Sequence, residues 1–496
     1  MEKRQCTGAN SVRPHWLTVA LTGCDISPSG TKNQVSSTIN AITGAGNEVS
    51  IERAAVTELA ESLQGSMYLP GDEAYDVVRK VWNGMINKHP AMVVQCGSVN
   101  DVALAVQFAG EHNLLVAVKG GGHSFPGKST CDGGMMIDLS QMHGVGVDVD
   151  AKTARVDGGA LLGHLDGAAL PHNLVTTAGI VSHTGVGGFT LGGGMGRTDR
   201  LHGLAIDNLL AATVVTATGE VLRASDAENA DLFWAIRGGG GNFGVATEFV
   251  YRLHPFNPSV YGGNLFYSFD QARDFLHFYA EFNETLPDEA SVEPQFVFDD
   301  SGGPVLMVEV CYAGDHAAGE QVMAPLVAFG KRLSGELGAV SYQQMQTSAD
   351  AALAHGVLSY LKSGYLIELT ETSIDAMVGN FEGDHLPFTW FQHLGGASAR
   401  VAPDATAYPH RNVRFNYGIM AAWGDAAESD KRIAAVRRYY KALEPHMKGF
   451  YTNLNDDTEK KTRGNFGDNY PRLVEVKNRY DPTNLFRLNA NIQPTV

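Results

Sequence analysis

The sequence predicts an α+β fold in two parts, and three observations carry that reading. A helical period followed by a short apolar strand runs directly into a glycine loop between residues 98 and 122. Glycine clusters then recur around residues 184–196 and 237–244. After about residue 255 the clusters end, and alternating strands such as 304–312 and 414–422 mix with helical stretches such as 429–443. A change of composition at that point marks a change of domain. The 496 residues exceed a single hydrophobic core, so at least two domains are expected, and the 44% of apolar residues supplies their interior.

Residues 1–55 are rich in Ser, Thr, Gly and Asn and read as an irregular leader. Within it, 16–23 is mildly apolar after basic residues, a weak hint of a secretory signal because threonines dilute the apolar core. Asn283-Glu-Thr is a glycosylation acceptor sequence, and compartment stays open. Ser98-Val-Asn-Asp101 has the form of a helix start, with apolar positions running through Ala109 and a strand at 114–118. Strands follow at 135–139, 145–149 and 154–156, the last two joined by a turn at 150–153. Strands 209–216 and 220–223 flank a turn at Thr218-Gly219, and Ser225 is the expected cap of a helix over 226–236.

Residues 116–127 read Val-Ala-Val-Lys-Gly-Gly-Gly-His-Ser-Phe-Pro-Gly. Three glycines let the backbone lie against a large ligand, with N–H groups free to cradle a pyrophosphate and the His123 imidazole facing it. A tight turn with an incidental histidine would read the same. The second cluster has seven glycines in its thirteen residues, 184–196, and the third is Arg237-Gly-Gly-Gly-Gly-Asn-Phe-Gly244. Three clusters in one half of the chain imply one extended ligand, yet none has the βαβ context and acidic residue of the Rossmann dinucleotide fingerprint.

Net charge −17, with no basic run, disfavours nucleic acid as a partner. No apolar stretch approaches the length of a membrane helix. Cysteines 6, 24, 96, 131 and 311 are too few and too scattered for a disulfide framework or a zinc site, and no metal is predicted.

The stretches 119–127 and 179–196, Gly203-Leu-Ala-Ile-Asp-Asn208, Asp231-Leu-Phe-Trp-Ala-Ile-Arg-Gly-Gly-Gly-Gly-Asn-Phe-Gly244, Asn469-Tyr-Pro-Arg-Leu-Val-Glu-Val-Lys477 and Tyr480-Asp-Pro-Thr-Asn-Leu-Phe486 carry a family likeness. From about residue 90 to its end the chain resembles the berberine bridge enzyme-like flavoproteins, within the vanillyl-alcohol oxidase or PCMH-type FAD-binding fold. The resemblance implies an FAD-binding domain over 56–254, a substrate domain with an antiparallel sheet over the flavin across 255–448, and a return to the FAD domain at 449–496. It places FAD contacts at Lys119, Gly120, Gly121, Gly122, His123, Ser124 and Gly127 in the first loop. In the second region it implies Gly179, Thr184, Gly185, Gly187, Gly188, Gly192, Gly193, Gly194 and Gly196, followed by Asp207, Asn208, Gly244, Val245, Asn489 and Asn491.

His123 is implied to bond the 8α carbon of the flavin, which withdraws electron density and raises the reduction potential. Relatives with a second link have cysteine where this chain has Val181, so attachment through His123 alone is expected. His183 has no assigned role. Thr184 stands at the position that gates dioxygen in the family, and its valine-like shape favours an oxidase.

A base beside the substrate would speed hydride transfer by roughly two to four orders of magnitude. Gly418 stands at the family's glutamate position after Tyr408-Pro-His-Arg411, which disfavours alkaloid cyclisation, and Leu454 replaces the tyrosine common in sugar oxidases. His393, Tyr408, His410 and Asn416 are the remaining candidates, each equally readable as packing. The function expected is hydride transfer from an alcohol or hemiacetal carbon to flavin N5, with electrons passed to dioxygen to give hydrogen peroxide. A glucose-type oligosaccharide such as cellobiose, oxidised to its lactone, is the favoured small-molecule substrate. An aromatic alcohol, alkaloid or secondary-metabolite sugar is the alternative, and a flavin-carrying binding protein without turnover is the non-enzymatic one.

Overall fold

The computed structural model describes residues 36–383, 385–455 and 459–496. The segment 16–23, Cys6 and Cys24 lie outside the described residues. The described part of the predicted leader is not irregular: Thr38–Ile42 and Glu48–Glu52 pair antiparallel, and the helix Arg53–Ser62 follows at once. Ile39, Ala41, Ile51, Val56 and Leu59 all enter one core. Strands of five residues with only one or two buried positions each are hidden in a polar-rich composition.

The α/β unit before the first glycine loop forms as read. Ser98 Oγ accepts the Asp101 N–H at the start of the helix Val99–Glu111. Burial opposes ionisation of Asp101, but N–H groups of Gln64, Gly97 and Gly65 hold its carboxyl below the usual range. Val116–Lys119 and Met92–Gln95 each pair parallel with Met135–Asp138, and Ser66–Tyr68 closes the edge antiparallel. A second, antiparallel sheet has the order Val221–Ser225, Leu209–Val215, Val245–Arg252, Thr153–Asp157, Val145–Asp148. Ser225 is not a helix cap: it ends a strand, and the helix Ala230–Ile236 starts after Asn229, whose φ of 49° turns the chain.

The third sheet has eight strands, all paired antiparallel, and includes Ala290–Phe298, Pro304–Tyr312, Leu358–Leu366, Phe388–His393 and Phe415–Trp423. Helices Ala272–Phe282, Glu371–Gly379 and Ser429–Leu443 cover one face, with Phe275, Ile374, Met377, Val436 and Tyr439 in the core beneath. Phe415, Tyr417, Ile419 and Ala421 point into that core, so the strand's alternation turns Asn416, Gly418 and Met420 to the opposite face. That face looks towards the glycine loops. Asn283 is buried at the end of the first of these helices, its amide donating to the Tyr279 and Ala280 carbonyls and accepting from Arg414, so it is no surface glycosylation acceptor.

The last helix, Tyr470–Tyr480, sends Leu473, Val476 and Tyr480 into the core that holds Phe233 and Trp234. Lys477 and Asp481 form a 2.6 Å ion pair with both side chains fully buried. Lys477 Nζ also donates to the Asn242 carbonyl, and Asp481 accepts the N–H of Leu485 and Phe486, which ties this helix to the third glycine cluster. Cys96, Cys131 and Cys311 are buried free thiols. Among the described residues, no helix is long and apolar enough to cross a membrane.

Candidate active site

A cavity of about 380 Å³ separates the glycine loops from the large sheet. Its floor is built by close backbone packing: a Cβ on Gly121 would meet the Gly185 nitrogen at 2.4 Å, and one on Gly185 would meet the Gly121 nitrogen at 2.3 Å. Glycine is therefore required where the first two clusters touch. Gly188 differs, because it lines the cavity and a Cβ there would meet no protein atom within 4 Å. A side chain at that point would enter the cavity itself. Gly239, Gly240 and Gly241 of the third cluster complete the floor beside Asn489, whose amide donates to the Gly241 carbonyl.

His123 sits in the wall with its Nε2 buried and unpartnered. Its ring stacks on Trp82 at 4.4 Å, and the His183 ring lies 5.0 Å away. Burial, and then the neighbouring His183 and His355 imidazoles, push its pKa down to about 3. His123 is thus a neutral imidazole at any physiological pH, with a ring nitrogen available as a nucleophile.

The roof comes from the exposed face of the large sheet: Phe388, Trp390 and Gln392 from one strand, Met420 from the next, and Gln295. Phe125, Leu353 and Leu454 close the sides. Trp390 pairs with Gly418 across the strands, and a Cβ on Gly418 would lie 2.3 Å from Trp390 Cζ2. The indole fills the space that a side chain at 418 would need. Asn416 Nδ2 donates to Gln392 Oε1 at 2.7 Å, which leaves the Gln392 NH₂ as that side chain's remaining polar group. Tyr451 also lines the cavity, and its hydroxyl oxygen accepts from the Gly194 N–H at 3.0 Å and from Asn453 Nδ2 at 2.9 Å. Burial pushes this phenol up to about 12, so Tyr451 is a neutral donor near neutral pH.

The family model described as "FAD binding domain" matches residues 90–225, and the one described as "Berberine and berberine like" matches 450–493. An FAD-linked oxidoreductase of Dictyostelium discoideum is 32% identical over 450 residues, covering 88% of this chain and 97% of the relative. The chain belongs to the berberine bridge enzyme-like family. It is an FAD-linked oxidoreductase with the PCMH-type FAD-binding fold. The structure of 6-hydroxy-D-nicotine oxidase from Arthrobacter nicotinovorans superposes with a TM-score of 0.80 at 29% identity, covering 87% of this chain and 98% of that one. Chitooligosaccharide oxidase of Gibberella zeae is 28% identical over 470 residues, covering 86% of this chain and 91% of the relative. The cradle fits the family's cofactor, since it joins glycine backbone, open space at Gly188 and a free imidazole nitrogen.

In this family member, Gly120, Gly121, Gly122, His123, Ser124, Gly179, Thr184, Gly185, Gly187, Gly188, Gly244, Val245 and Asn489 line the cavity, and so does Val181. The other implied contacts lie off its wall. Lys119 Nζ is taken by the Val78 carbonyl and Asp138, and Gly127 packs on Ile86. Gly192, Gly193, Gly194 and Gly196 serve close packing against Asn453, Tyr408, Ala205 and Ala178. Asp207 makes a bidentate pair with Arg411, Asn208 binds the His202 and Leu204 carbonyls and His254, and Asn491 stands beside the lining residues Asn489 and Ala490 without joining them.

The four candidate bases, His393, Tyr408, His410 and Asn416, likewise lie off the cavity wall. His393 points into the helix-covered core beside Tyr279 and Phe415, its pKa driven well down by burial and then by Arg200 and Arg414. His410 is bound to Asn465 and brought to about 4 by burial. Tyr408 donates to the Tyr365 hydroxyl, and Asn416 stands behind Gln392. The residues that do form the roof, Trp390, Gln392 and Gln295, were missed. The one available signal was parity: Gln392 precedes His393, and adjacent strand residues face opposite ways.

Proposed function

We propose that the protein oxidises an aromatic or heteroaromatic small molecule, transferring a hydride to FAD held covalently through His123 and passing the electrons to dioxygen. The observation that carries this reading is the roof and sides of Phe125, Leu353, Phe388, Trp390, Met420 and Leu454, an apolar enclosure facing the glycine floor. Two of its polar groups, the Tyr451 hydroxyl and the Gln392 NH₂, are placed as donors, which suits a substrate presenting a ring nitrogen, a carbonyl or an ionised phenol. The likeness to 6-hydroxy-D-nicotine oxidase supports the same class. Thr184 on the cavity wall is small enough to leave dioxygen a path, and Val181 beside it offers no thiol for a second link.

Oxidation of an oligosaccharide is the second reading. It is favoured by Trp390, which can stack on a sugar face between Gln295 and Gln392, and by the likeness to chitooligosaccharide oxidase. Anaerobic flavin absorbance distinguishes the two. Bleaching by aromatic alcohols or hydroxylated pyridines, and not by cello- or chito-oligosaccharides, is the expected result. The reverse pattern selects the sugar reading, and a flavin that no substrate of either class reduces would favour a binding protein. Covalent linkage is checked by acid precipitation: flavin stays with the pellet of the natural protein and is released from His123→Ala.

A further inference from the structure

The three histidines 123, 183 and 355 stand in a row. The His183 ring is 5.0 Å from His123 on one side and 5.0 Å from His355 on the other. Both His183 nitrogens are buried without a hydrogen-bond partner, as is His123 Nε2, whereas His355 is exposed. Imidazole is the side chain that both takes and gives a proton near neutral pH, so a row of three rings from a buried nucleophile to solvent has the form of a proton path. The row is also built firmly. Asp350 takes both the N–H and the hydroxyl of Ser182, at 2.9 and 2.5 Å, beside His183. Trp82 stacks its indole on His123 and donates the indole N–H to the Leu353 carbonyl, while its backbone carbonyl accepts the Gly356 N–H, so one residue locates both ends. The nearby Lys119 ammonium is occupied by Val78 and Asp138, leaving His183 the open neighbour of His123.

We propose that His183 is a positioning residue and proton acceptor for attachment of the flavin to His123, and that His355 passes the proton to water. The inference rests on the covalent linkage proposed above. Attachment forms one bond, from a His123 ring nitrogen to the 8α carbon, and breaks two, an N–H of the imidazole and a C–H of the 8α methyl group. Two protons and two electrons are released; the electrons leave through the flavin to dioxygen, which takes up two protons as hydrogen peroxide. Among the described residues, the titratable side chains acting on His123 are the His183 and His355 imidazoles and not a carboxylate, so the imidazole row is the route by which its proton leaves.

The test uses full-length apoprotein from riboflavin-limited cells, supplied with FAD in air, with covalent flavin followed over time by in-gel fluorescence after denaturation. His183→Ala is expected to slow attachment by about a hundredfold, to bind FAD before attachment as the natural apoprotein does, and to be rescued by added imidazole. His355→Ala, at an exposed ring, should slow it less and keeps the test open if the His183 variant fails to fold. Rescue by imidazole separates proton transfer from a packing role. Attachment at the natural rate in both variants would overturn the relay while leaving the linkage intact. Flavin that washes entirely from the natural protein would overturn the linkage itself, and the relay with it.

Discussion

At position 418 a single hydrogen atom in place of a side chain decides what the roof is made of. Glycine there lets the Trp390 indole lie flat across the strand pair, where a Cβ would stand 2.3 Å from the ring. Gly418→Ala should therefore force the indole aside, lowering stability by about 1–3 kcal/mol in thermal unfolding and raising KM for aromatic substrates. In a Trp390→Phe background the same substitution should cost measurably less, because the colliding atoms are gone. Additive effects in that double-mutant cycle would show that the ring does not fill this space. Placing a glutamate base at 418 by mutation meets the same obstacle, so the chain's departure from the family's base goes with its tryptophan.

Individual elements join the site to the rest of the molecule through buried polar links. The helix Tyr470–Tyr480 holds the third glycine cluster through Lys477, whose ammonium serves Asn242, Asp481 and Phe486 at once. Burial lowers the Lys477 pKa, and the Asp481 carboxylate opposes that effect. Lys477→Met should leave Asp481 charged and uncompensated, costing about 3–5 kcal/mol, and urea unfolding monitored by flavin fluorescence would measure it. A variant as stable as the natural protein would mean that the pair is dispensable. The glycine loops allow even less change. Gly121→Ala and Gly185→Ala each drive a methyl group into backbone at 2.5 Å or closer, so the expected outcome is loss of bound FAD in the purified protein.

Across the whole molecule, buried carboxyl groups link the glycine-loop half to the large sheet and make stability depend on pH. Gln346, next to the sheet, donates to Asp166 and accepts from Arg197, which in turn pairs with Glu309. Burial raises the Asp166 carboxyl from its ordinary 3.8 to about 7, against opposition from Gln346 and Arg197. A folded-state pKa above the unfolded one means stability is complete below about pH 4 and declines as pH rises towards about 7, because the unfolded chain ionises first. Asp166→Asn lacks this decline, so between about pH 5 and about pH 7 it should gain on the natural protein by on the order of 2 kcal/mol. His123, His202 and His410, depressed by burial, weaken the fold as pH falls below about 6.5 in both proteins and so cancel in the difference. Parallel stability curves would exclude Asp166 as a contributor.

The strands at 304–312 and 414–422, the helix at 429–443 and the glycine loops were legible because each declares itself within a short window, by period, by β-branched content or by a backbone only glycine permits. His123 was legible for the same reason, since its loop is contiguous. The sequence alone therefore determined the α+β class, the FAD-type cradle and the histidine within it. Which face each strand turns to the cavity was decided only by tertiary packing. Covering one side of the sheet with helices buries Phe415, Tyr417 and His393 and leaves Met420, Trp390 and Gln392 over the site. The row of His123, His183 and His355 likewise exists only once residue 355 of one half is folded back against residues 123 and 183 of the other, because contacts between distant segments follow from how elements pack and not from any local pattern.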